Sequence, residues 1–221
     1  MMIPADRIAL VFDMDNTVIS SRIDFAAIRR GLIALLRAAG GAGEAEEMLL
    51  RRAIADLVAR GAAHDRAHGT EMVPRMWKII EAHEAEGLKD AGALDDAPAV
   101  LRRLKDRRHR IAILTNNGRE AALQALRSAG VSDYVEIIVA RGDAPALKPA
   151  GDGVAEAVRR LGNVERTYVI GDSWIDGAAA AAVGARFIAY RRTAEDLQPH
   201  GIRPWRVIGN LDELLHLDLA G

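Results

Sequence analysis

Two aspartates near the start of the chain, Asp13 and Asp15, are the first residues whose types and spacing could do chemistry. They stand two positions apart at the end of an apolar segment. On an extended strand both side chains would leave the same face, with their bases about 6–7 Å apart. One carboxylate could attack phosphorus while the other handles the proton of the leaving group. A carboxylate nucleophile that forms an aspartyl phosphate is an established covalent route.

Further polar residues follow three later apolar segments, and their types suit a metal and a phosphate together. They are Thr115 with Asn116, Lys148, and Asp172 with Asp176. Carboxylates can bind a hard cation such as Mg²⁺, which takes few carboxylates together with waters and substrate phosphate oxygens. A lysine and backbone amides suit phosphate oxygens, and only four of the 30 basic residues in this chain are lysines. The combination indicates phosphoryl transfer, in which positioning and charge neutralisation do most of the work.

The elements that must position these residues are short apolar segments typical of buried strands in a parallel sheet. They are Arg7–Asp13, Arg110–Thr115, Val135–Ala140, Thr167–Gly171, Ala185–Tyr190 and Trp205–Ile208. Helical patterns lie between them, and this alternation predicts right-handed crossovers and an α/β fold with a Rossmann-like, doubly wound parallel sheet. Ligands of such sheets bind beyond the carboxyl ends of the strands, which is where the candidate residues stand.

One long stretch after the first strand has no strand signal, and it is far longer than an ordinary loop between a strand and a helix. Helical patterns cover residues 24–38, 44–60 and roughly 71–86. Glycines at 40–43 and at 61 are expected to end the first two of these helices. The sequence therefore predicts an all-helical domain at residues 20–91, inserted into an α/β core formed by residues 1–19 and 92–221.

The four polar loops resemble, in the same order, the four motifs of the haloacid dehalogenase-like superfamily of hydrolases. FDMDNTVI at Asp13 resembles the first motif, ILTNN at Thr115 the second, LKP at Lys148 the third, and GDSWID at Asp172 the fourth. KPAGDGVAEAVRRLG and the GDS segment resemble the phosphoglycolate phosphatase-like branch, whose cap domain stands where this chain has its helical insert. Asn16 replaces a glycine that the family often has, but asparagine tolerates unusual backbone angles.

The resemblance implies roles in catalysis for the residues of the first three motifs. Asp13 would be the nucleophile and would also bind Mg²⁺. Asp15 would protonate the leaving alcohol, then activate the water that hydrolyses the aspartyl phosphate, and its backbone carbonyl would bind the metal. Thr115 and the amide of Asn116 would hold phosphate oxygens, and Lys148 would neutralise the nucleophile and the phosphate.

The fourth motif and the insert complete the implied site. Asp172 would bind Mg²⁺ directly, and Asp176 would support the metal shell through water or through Lys148. Arg22, at the start of the insert, could reach a carboxylate or phosphate of the substrate. The implied protein is a Mg²⁺-dependent phosphatase of a small phosphorylated metabolite, either phosphoglycolate-like or a sugar phosphate, with the insert as its cap domain.

Other functions share this core. A phosphomutase similar to the β-phosphoglucomutases would keep every motif residue and would isomerise a sugar phosphate without net release of phosphate. A dehalogenase is disfavoured because it has no use for the proton donor Asp15, and the phosphonate-cleaving branch needs a cap lysine that neither Lys78 nor Lys89 can be assigned to supply. A non-catalytic binding module would usually have lost one of the catalytic groups, and all are present.

Composition excludes several other classes of protein. The chain has no cysteine, so disulfides, thiolate metal sites and cysteine nucleophiles are excluded. Its formal net charge of −1 disfavours a nucleic-acid partner, and we interpret the basic run at Arg102–Arg110 as a solvated helix end. No segment is typical of a membrane span or a signal peptide. We therefore expect a cytoplasmic monomer or homodimer without nucleic-acid or membrane partners.

Overall fold

A six-stranded parallel sheet is the centre of the computed structural model, which describes residues 3–94 and 96–221. The strands in chain order are β1 (Ile8–Asp13), β2 (Ile19–Ser20), β3 (Gly92–Ala93), β4 (Arg110–Gly118), β5 (Ile137–Arg141), β6 (Arg166–Gly171), β7 (Arg186–Tyr190) and β8 (Arg206–Ile208). The α-helices are α1 (Phe25–Ala38), α2 (Glu46–Leu50), α3 (Ile54–His68), α4 (Met72–Gly87), α5 (Ala97–Asp106), α6 (Arg119–Ser128), α7 (Asp152–Leu161), α8 (Trp174–Ala182) and α9 (Ala194–Leu197).

The strand order of the large sheet is β5-β4-β1-β6-β7-β8, and each neighbouring pair is parallel. The chain thus moves outward from β1 in one direction, then returns and moves outward in the other. This is the doubly wound α/β topology that the sequence predicts, so the predicted fold class is confirmed. The direction changes beside β1, which puts Asp13 at the switch point where such sheets bind ligands.

Helices cover both faces of this sheet, and that is why the middle parts of its central strands are apolar. All six residues of β1 are buried. Val11 shares a buried cluster with Val154 of α7 and Ala179 of α8. Alternation along the strand turns Leu10 and Phe12 to the opposite face, which lies on the side of α5 and α6.

The first part of the insert differs from its prediction. The helical pattern over residues 44–60 predicts one helix, which is wrong, because α2 ends at Leu50 and α3 begins at Ile54. At the break the carbonyl of Arg52 accepts a hydrogen bond from Nε of Arg29 at 3.2 Å. This tertiary contact satisfies a backbone carbonyl in the short segment between the two helices.

Gly61 is also misassigned by the sequence, because it lies inside α3 and does not end a helix. A Cβ atom at this position would lie 2.6 Å from Sδ of Met76, so the missing side chain allows α3 to approach α4 closely. Helix α3 instead ends at Gly69, whose φ of 64° is left-handed and whose amide donates to the carbonyl of Asp65 at 2.8 Å.

The chain divides into two compact units, one formed by Met1–Ser21 with Ala91–Gly221 and one formed by Arg22–Asp90. We call them the core unit and the helical unit. These boundaries differ from the predicted ones by one or two residues. The core unit also contains a small antiparallel pair that the sequence does not predict, in which Ile19 of β2 pairs with Ala93 of β3.

Two further features concern single helices. The predicted helix at Leu211–Leu217 is a 3-10 helix over Leu211–His216, with Asn210 and Glu213 in a capping box. Within residues 3–94 and 96–221, each helix is too short or too polar to cross a bilayer.

Candidate active site

Asp13 is the last residue of β1, and the chain turns immediately behind it. Its carboxylate is buried and accepts a hydrogen bond from the hydroxyl of Thr17 at 3.3 Å. Asn16 has a left-handed φ of 56°, and its amide donates to the carbonyl of Ile19 at 2.8 Å. Because the strand ends at Asp13, Asp15 lies in this turn and not on the expected extended strand; its backbone forms a single bridge with Ile19.

Lys148 joins the first and fourth motifs. Its Nζ donates to Oδ1 of Asp13 at 2.5 Å, to Oδ1 of Asp176 at 2.7 Å and to the carbonyl of Leu114 at 3.2 Å. An ammonium group has three donors, so these bonds use all of them. The side chains of Lys148, Asp13 and Asp176 are each at least 91% buried, and Lys148 is therefore a fixed internal counter-ion of two acids.

Asp176 is held by the amino end of α8. Its Oδ2 accepts a hydrogen bond from the amide of Ser173 at 3.1 Å, in a capping box with Ser173 as the N-cap residue. Gly171, the last residue of β6, makes room for this carboxylate, because a Cβ atom on it would lie 2.5 Å from Cγ of Asp176. The helix start and the glycine together fix Asp176 against Lys148.

Asp172 completes a cluster of acids. One carboxylate oxygen each from Asp13, Asp172 and Asp176 lie within 4.8 Å of one another. The backbone carbonyl of Asp172 accepts a hydrogen bond from Nε of Arg192 at 2.9 Å, and the guanidinium lies 3.9 Å from Oδ2 of the same residue. Arg192 follows β7, so a loop of the neighbouring strand steadies this part of the fourth motif.

Asp15 is held from β4. Its Oδ2 accepts a hydrogen bond from Nδ2 of Asn117 at 2.8 Å, and Ser21 is a second partner of the carboxylate. Its Oδ1 is buried and meets no hydrogen-bond partner within residues 3–94 and 96–221. Burial, and after it the nearby carboxylate of Asp13, raises the pKa of Asp15 to about 7.

Thr115 and Asn116 have different surroundings. Thr115 is buried, and its Oγ1 accepts a hydrogen bond from the amide of Asn117 at 3.1 Å, which leaves a hydroxyl able to donate to a phosphate. The side chain of Asn116 instead bonds the backbone of Lys148 twice, from Nδ2 to the carbonyl at 3.0 Å and from the amide to Oδ1 at 2.9 Å. These two hydrogen bonds hold the backbone of the third motif beside the second motif.

The pKa values of two more acids follow from the same excess of buried negative charge. Burial and then the carboxylate of Asp13 raise the pKa of Asp172 to about 7. Burial also raises the pKa of Asp176 to about 7, although Lys148 opposes that rise. Burial opposes the charge of Lys148 as well, but Asp13 and Asp176 raise the pKa of its ammonium above the ordinary value.

These residues fit a divalent cation. Four carboxylates surround one lysine, three of them are close enough to share an ion, and the hard oxygen donors are those that Mg²⁺ binds. An added positive charge would offset the cost that raises the pKa values of these acids. Asp13, Asp172 and Asp176 are the side chains that could hold such an ion.

The structure therefore brings together seven of the eight residues that the sequence singles out. They are Asp13, Asp15, Thr115, Asn116, Lys148, Asp172 and Asp176. Arg22 is different: it is an exposed residue at the start of the helical unit, and its amide donates to the carbonyl of Gly87 at 3.0 Å. Its role at the substrate stays a prediction.

Asn117 and Arg192 contact acids of the site, but neither residue is predicted from the sequence. Asn117 has a signal that could have been used, because residues 115 and 117 of one strand share a face. Arg192 has no comparable signal, since its contact with Asp172 depends on how two loops meet.

The chain is similar to known proteins over most of its length. A family model for the haloacid dehalogenase-like hydrolases matches residues 9–184. A phosphoglycolate phosphatase from Cereibacter sphaeroides is 32% identical over 206 residues, which cover 87% of this chain and 91% of that protein.

Solved structures share the fold. A hydrolase from Pseudomonas syringae superimposes with a TM-score of 0.69 at 22% identity, covering 96% of this chain and 99% of its own. A HAD family hydrolase from Deinococcus radiodurans, solved with bound phosphate and sodium, superimposes with a TM-score of 0.59 at 25% identity, covering 96% of this chain and 93% of its own.

Proposed function

The chain belongs to the family of haloacid dehalogenase-like hydrolases and is a phosphatase, and from that premise we propose that it hydrolyses a small phosphorylated metabolite with Mg²⁺ and through an aspartyl phosphate. The observation that carries the proposal is the pairing of Lys148 with Asp13 and Asp176 beside the acid cluster. A nucleophilic carboxylate, a fixed cation and a candidate metal site meet at the switch point of the sheet, where their combined charge and geometry suit a phosphate group.

The metal would be held by Asp13, Asp172 and Asp176, with the backbone carbonyl of Asp15 as a further ligand. When bound, Mg²⁺ supplies positive charge that orients the phosphate and offsets the charge that develops on its oxygens. The pKa values of about 7 for Asp172 and Asp176 support this assignment, because they mark a site with too little positive charge of its own.

The two chemical steps use the two acids of the first motif. In the first, a carboxylate oxygen of Asp13 forms a bond to phosphorus, the bond from phosphorus to the leaving oxygen breaks, and Asp15 gives its proton to that oxygen. In the second, water attacks phosphorus and gives a proton to Asp15, and the bond to Asp13 breaks. Thr115 and the amide of Asn116 hold the phosphate oxygens in both steps, and the positive charge of Lys148 offsets the negative charge of the phosphate.

The substrate is proposed from the relatives. Relatives that are 32% and 28% identical to this chain are named phosphoglycolate phosphatases. Phosphoglycolate is therefore the first substrate to test. We propose that the helical unit acts as the cap domain that selects the substrate, with Arg22 as its candidate for binding a carboxylate. Arg22→Ala should then raise KM for phosphoglycolate more than KM for a phosphate ester without a carboxylate.

The test is phosphate release from a panel of phosphorylated metabolites, with and without Mg²⁺, for the native protein and for Asp13→Asn. We expect Mg²⁺-dependent release that Asp13→Asn lowers by at least about 100-fold, as expected for loss of a nucleophile. Asp106→Asn, which changes an exposed acid at the end of α5, is the matched control. Undiminished activity in Asp13→Asn would rule out the covalent mechanism, and isomer formation without net phosphate release would indicate a phosphomutase.

A further inference from the structure

Asn117 is a buried polar residue that the proposed chemistry has not used. It lies near the carboxyl end of β4, two residues beyond Thr115, and its side chain is 4% exposed. Its backbone amide donates to Oγ1 of Thr115 at 3.1 Å, and its side-chain Nδ2 donates to Oδ2 of Asp15 at 2.8 Å. One residue of β4 thus connects the phosphate-binding hydroxyl with the acid of the first motif, 102 positions earlier in the chain.

This hydrogen bond makes the two oxygens of Asp15 unequal. An amide NH₂ group only donates, so the carboxyl oxygen facing it must be the acceptor and cannot carry the proton toward it. The proton of a neutral Asp15 carboxyl group therefore belongs on Oδ1. That oxygen is buried and meets no hydrogen-bond partner within the described residues, which is costly unless a ligand contacts it.

We propose that Asn117 is the positioning residue of Asp15: it occupies Oδ2 and so presents Oδ1 as the one oxygen that gives and receives the proton. The proposal rests on the phosphatase function proposed above and adds which atom acts and what holds it. In the first step the proton leaves Oδ1 for the oxygen of the departing alcohol. In the second step a proton of the attacking water returns to Oδ1 as the bond between phosphorus and Asp13 breaks.

The dependence of rate on the leaving group separates positioning from a general structural role. An alkyl phosphate needs its leaving oxygen protonated, whereas an aryl phosphate such as p-nitrophenyl phosphate has a stable leaving anion and needs little help. The ratio kcat/KM reports the first step, and kcat also includes hydrolysis of the aspartyl phosphate, which needs Asp15 as a base for every substrate.

The experiment measures both constants for an alkyl phosphate and for p-nitrophenyl phosphate with Mg²⁺ in native protein and Asn117→Ala. We expect kcat/KM for the alkyl phosphate to fall about 30-fold or more, a share of what general acid catalysis supplies. For the aryl phosphate kcat/KM should fall less than about 3-fold, while kcat falls for both. Asn117→Leu, which keeps the approximate size of the side chain but has no donor, should show the same selectivity.

Two controls make the result specific. In the Asp15→Asn background, Asn117→Ala should cause less than about 3-fold further loss, because the group that it positions is already absent. Asn163→Gly removes an exposed asparagine from the loop before β6, where φ is 49° and glycine fits, and should change neither constant.

Contrary outcomes fall into two kinds. Equal losses of kcat/KM for both substrates in an active enzyme would overturn the positioning role and leave the proposed function standing. A native protein that releases phosphate with Mg²⁺ from no member of the metabolite panel, and from neither of these two substrates, would overturn both proposals.

Discussion

At the scale of single residues, the site is defined by one cation that serves several buried acids. Nζ of Lys148 donates its three hydrogen bonds to Asp13, Asp176 and a backbone carbonyl. Burial, and to a smaller extent the negative charge of Asp13, raises the pKa values of Asp172 and Asp176 to about 7. The site therefore needs either a bound metal ion or bound protons to balance its negative charge.

Lys148→Met tests this charge balance directly. Removing one partner of a buried ion pair leaves its acids unpaired, so we expect a loss of about 3–5 kcal/mol in the free energy of unfolding at pH 8. The loss should be smaller at pH 5, because acids with pKa values near 7 are then protonated. Urea denaturation at both pH values measures it, and Lys105→Met, at an exposed lysine of α5, should stay within about 0.5 kcal/mol. An equal loss for the two lysines would contradict the pairing.

The sequence could predict which residue types meet in the site but not how each is held. Asp13, Lys148 and Asp176 follow from loop position and motif order. The orientation of the neighbouring asparagines does not, because Asn116 turns to the backbone of Lys148 whereas Asn117 turns to Asp15. Adjacent asparagines of one strand have the same propensities, and only their tertiary contacts distinguish them.

At the scale of secondary-structure elements, Gly171 sets how closely the end of β6 approaches the start of α8. A methyl group there would lie 2.5 Å from the carboxylate of Asp176, so Gly171→Ala must displace a residue that holds Lys148. We expect kcat to fall at least about 10-fold, because misplacement by about 1 Å can cost far more than that. Gly92→Ala is the matched control, since a Cβ atom at Gly92 meets no described atom within 4 Å. Equal kcat values for the two variants would contradict this role.

Two glycines of the helical unit test what helix packing tolerates. A Cβ atom at Gly87 would lie 2.5 Å from the backbone of Ile23, whereas at Gly61 it would meet the flexible end of Met76 at 2.6 Å. Gly87→Ala should destabilise the protein by about 1–3 kcal/mol. Gly61→Ala should change stability by less than about 1 kcal/mol, because Met76 can move and alanine favours a helix. Chemical denaturation measures the free energy of unfolding of both variants. A greater loss for Gly61→Ala than for Gly87→Ala would contradict the distinction between a flexible and a rigid neighbour.

The elements show where prediction from sequence succeeds. Strands with continuous apolar segments, such as β1 and β6, are predicted within one residue at each end, because burial on both faces leaves a strong signal. The break between α2 and α3 is missed, because it has neither glycine nor proline and depends on Arg29 contacting the carbonyl of Arg52. The two-residue strands β2 and β3 are too short to leave a pattern.

At the scale of the whole molecule, the acid cluster makes stability depend on pH and on metal. The native pKa values of Asp15, Asp172 and Asp176 lie near 7, above the ordinary 3.8. The native state thus binds more protons than the unfolded state between these values, so stability falls as pH rises through that window. One such group acting alone would change the free energy of unfolding by about 4 kcal/mol across this window. Three interacting groups contribute less than the sum of their separate effects.

The corresponding measurement is the unfolding temperature between pH 5 and pH 8, in a chelator and in Mg²⁺. Glu156, whose pKa is lowered to about 2 by Arg159 and Arg160, does not titrate in this range. We expect the unfolding temperature to fall with pH in the chelator and Mg²⁺ to raise it more at pH 8 than at pH 5, because protons and metal compete for the same oxygens. Asp172→Asn should reduce the Mg²⁺ effect. An equal effect at both pH values would contradict the metal assignment.

The central claim, that Asp13 carries the phosphoryl group, is tested most directly by trapping the intermediate. Asp15→Asn should slow hydrolysis of the aspartyl phosphate, so a rapid quench after mixing with p-nitrophenyl phosphate and Mg²⁺ should capture it. Borohydride reduces an acyl phosphate to an alcohol, which would convert the modified aspartate to homoserine. We expect homoserine at position 13 in the peptide mass spectrum; release of nitrophenol with an unmodified Asp13, or with another carboxylate modified instead, would contradict the covalent role of Asp13.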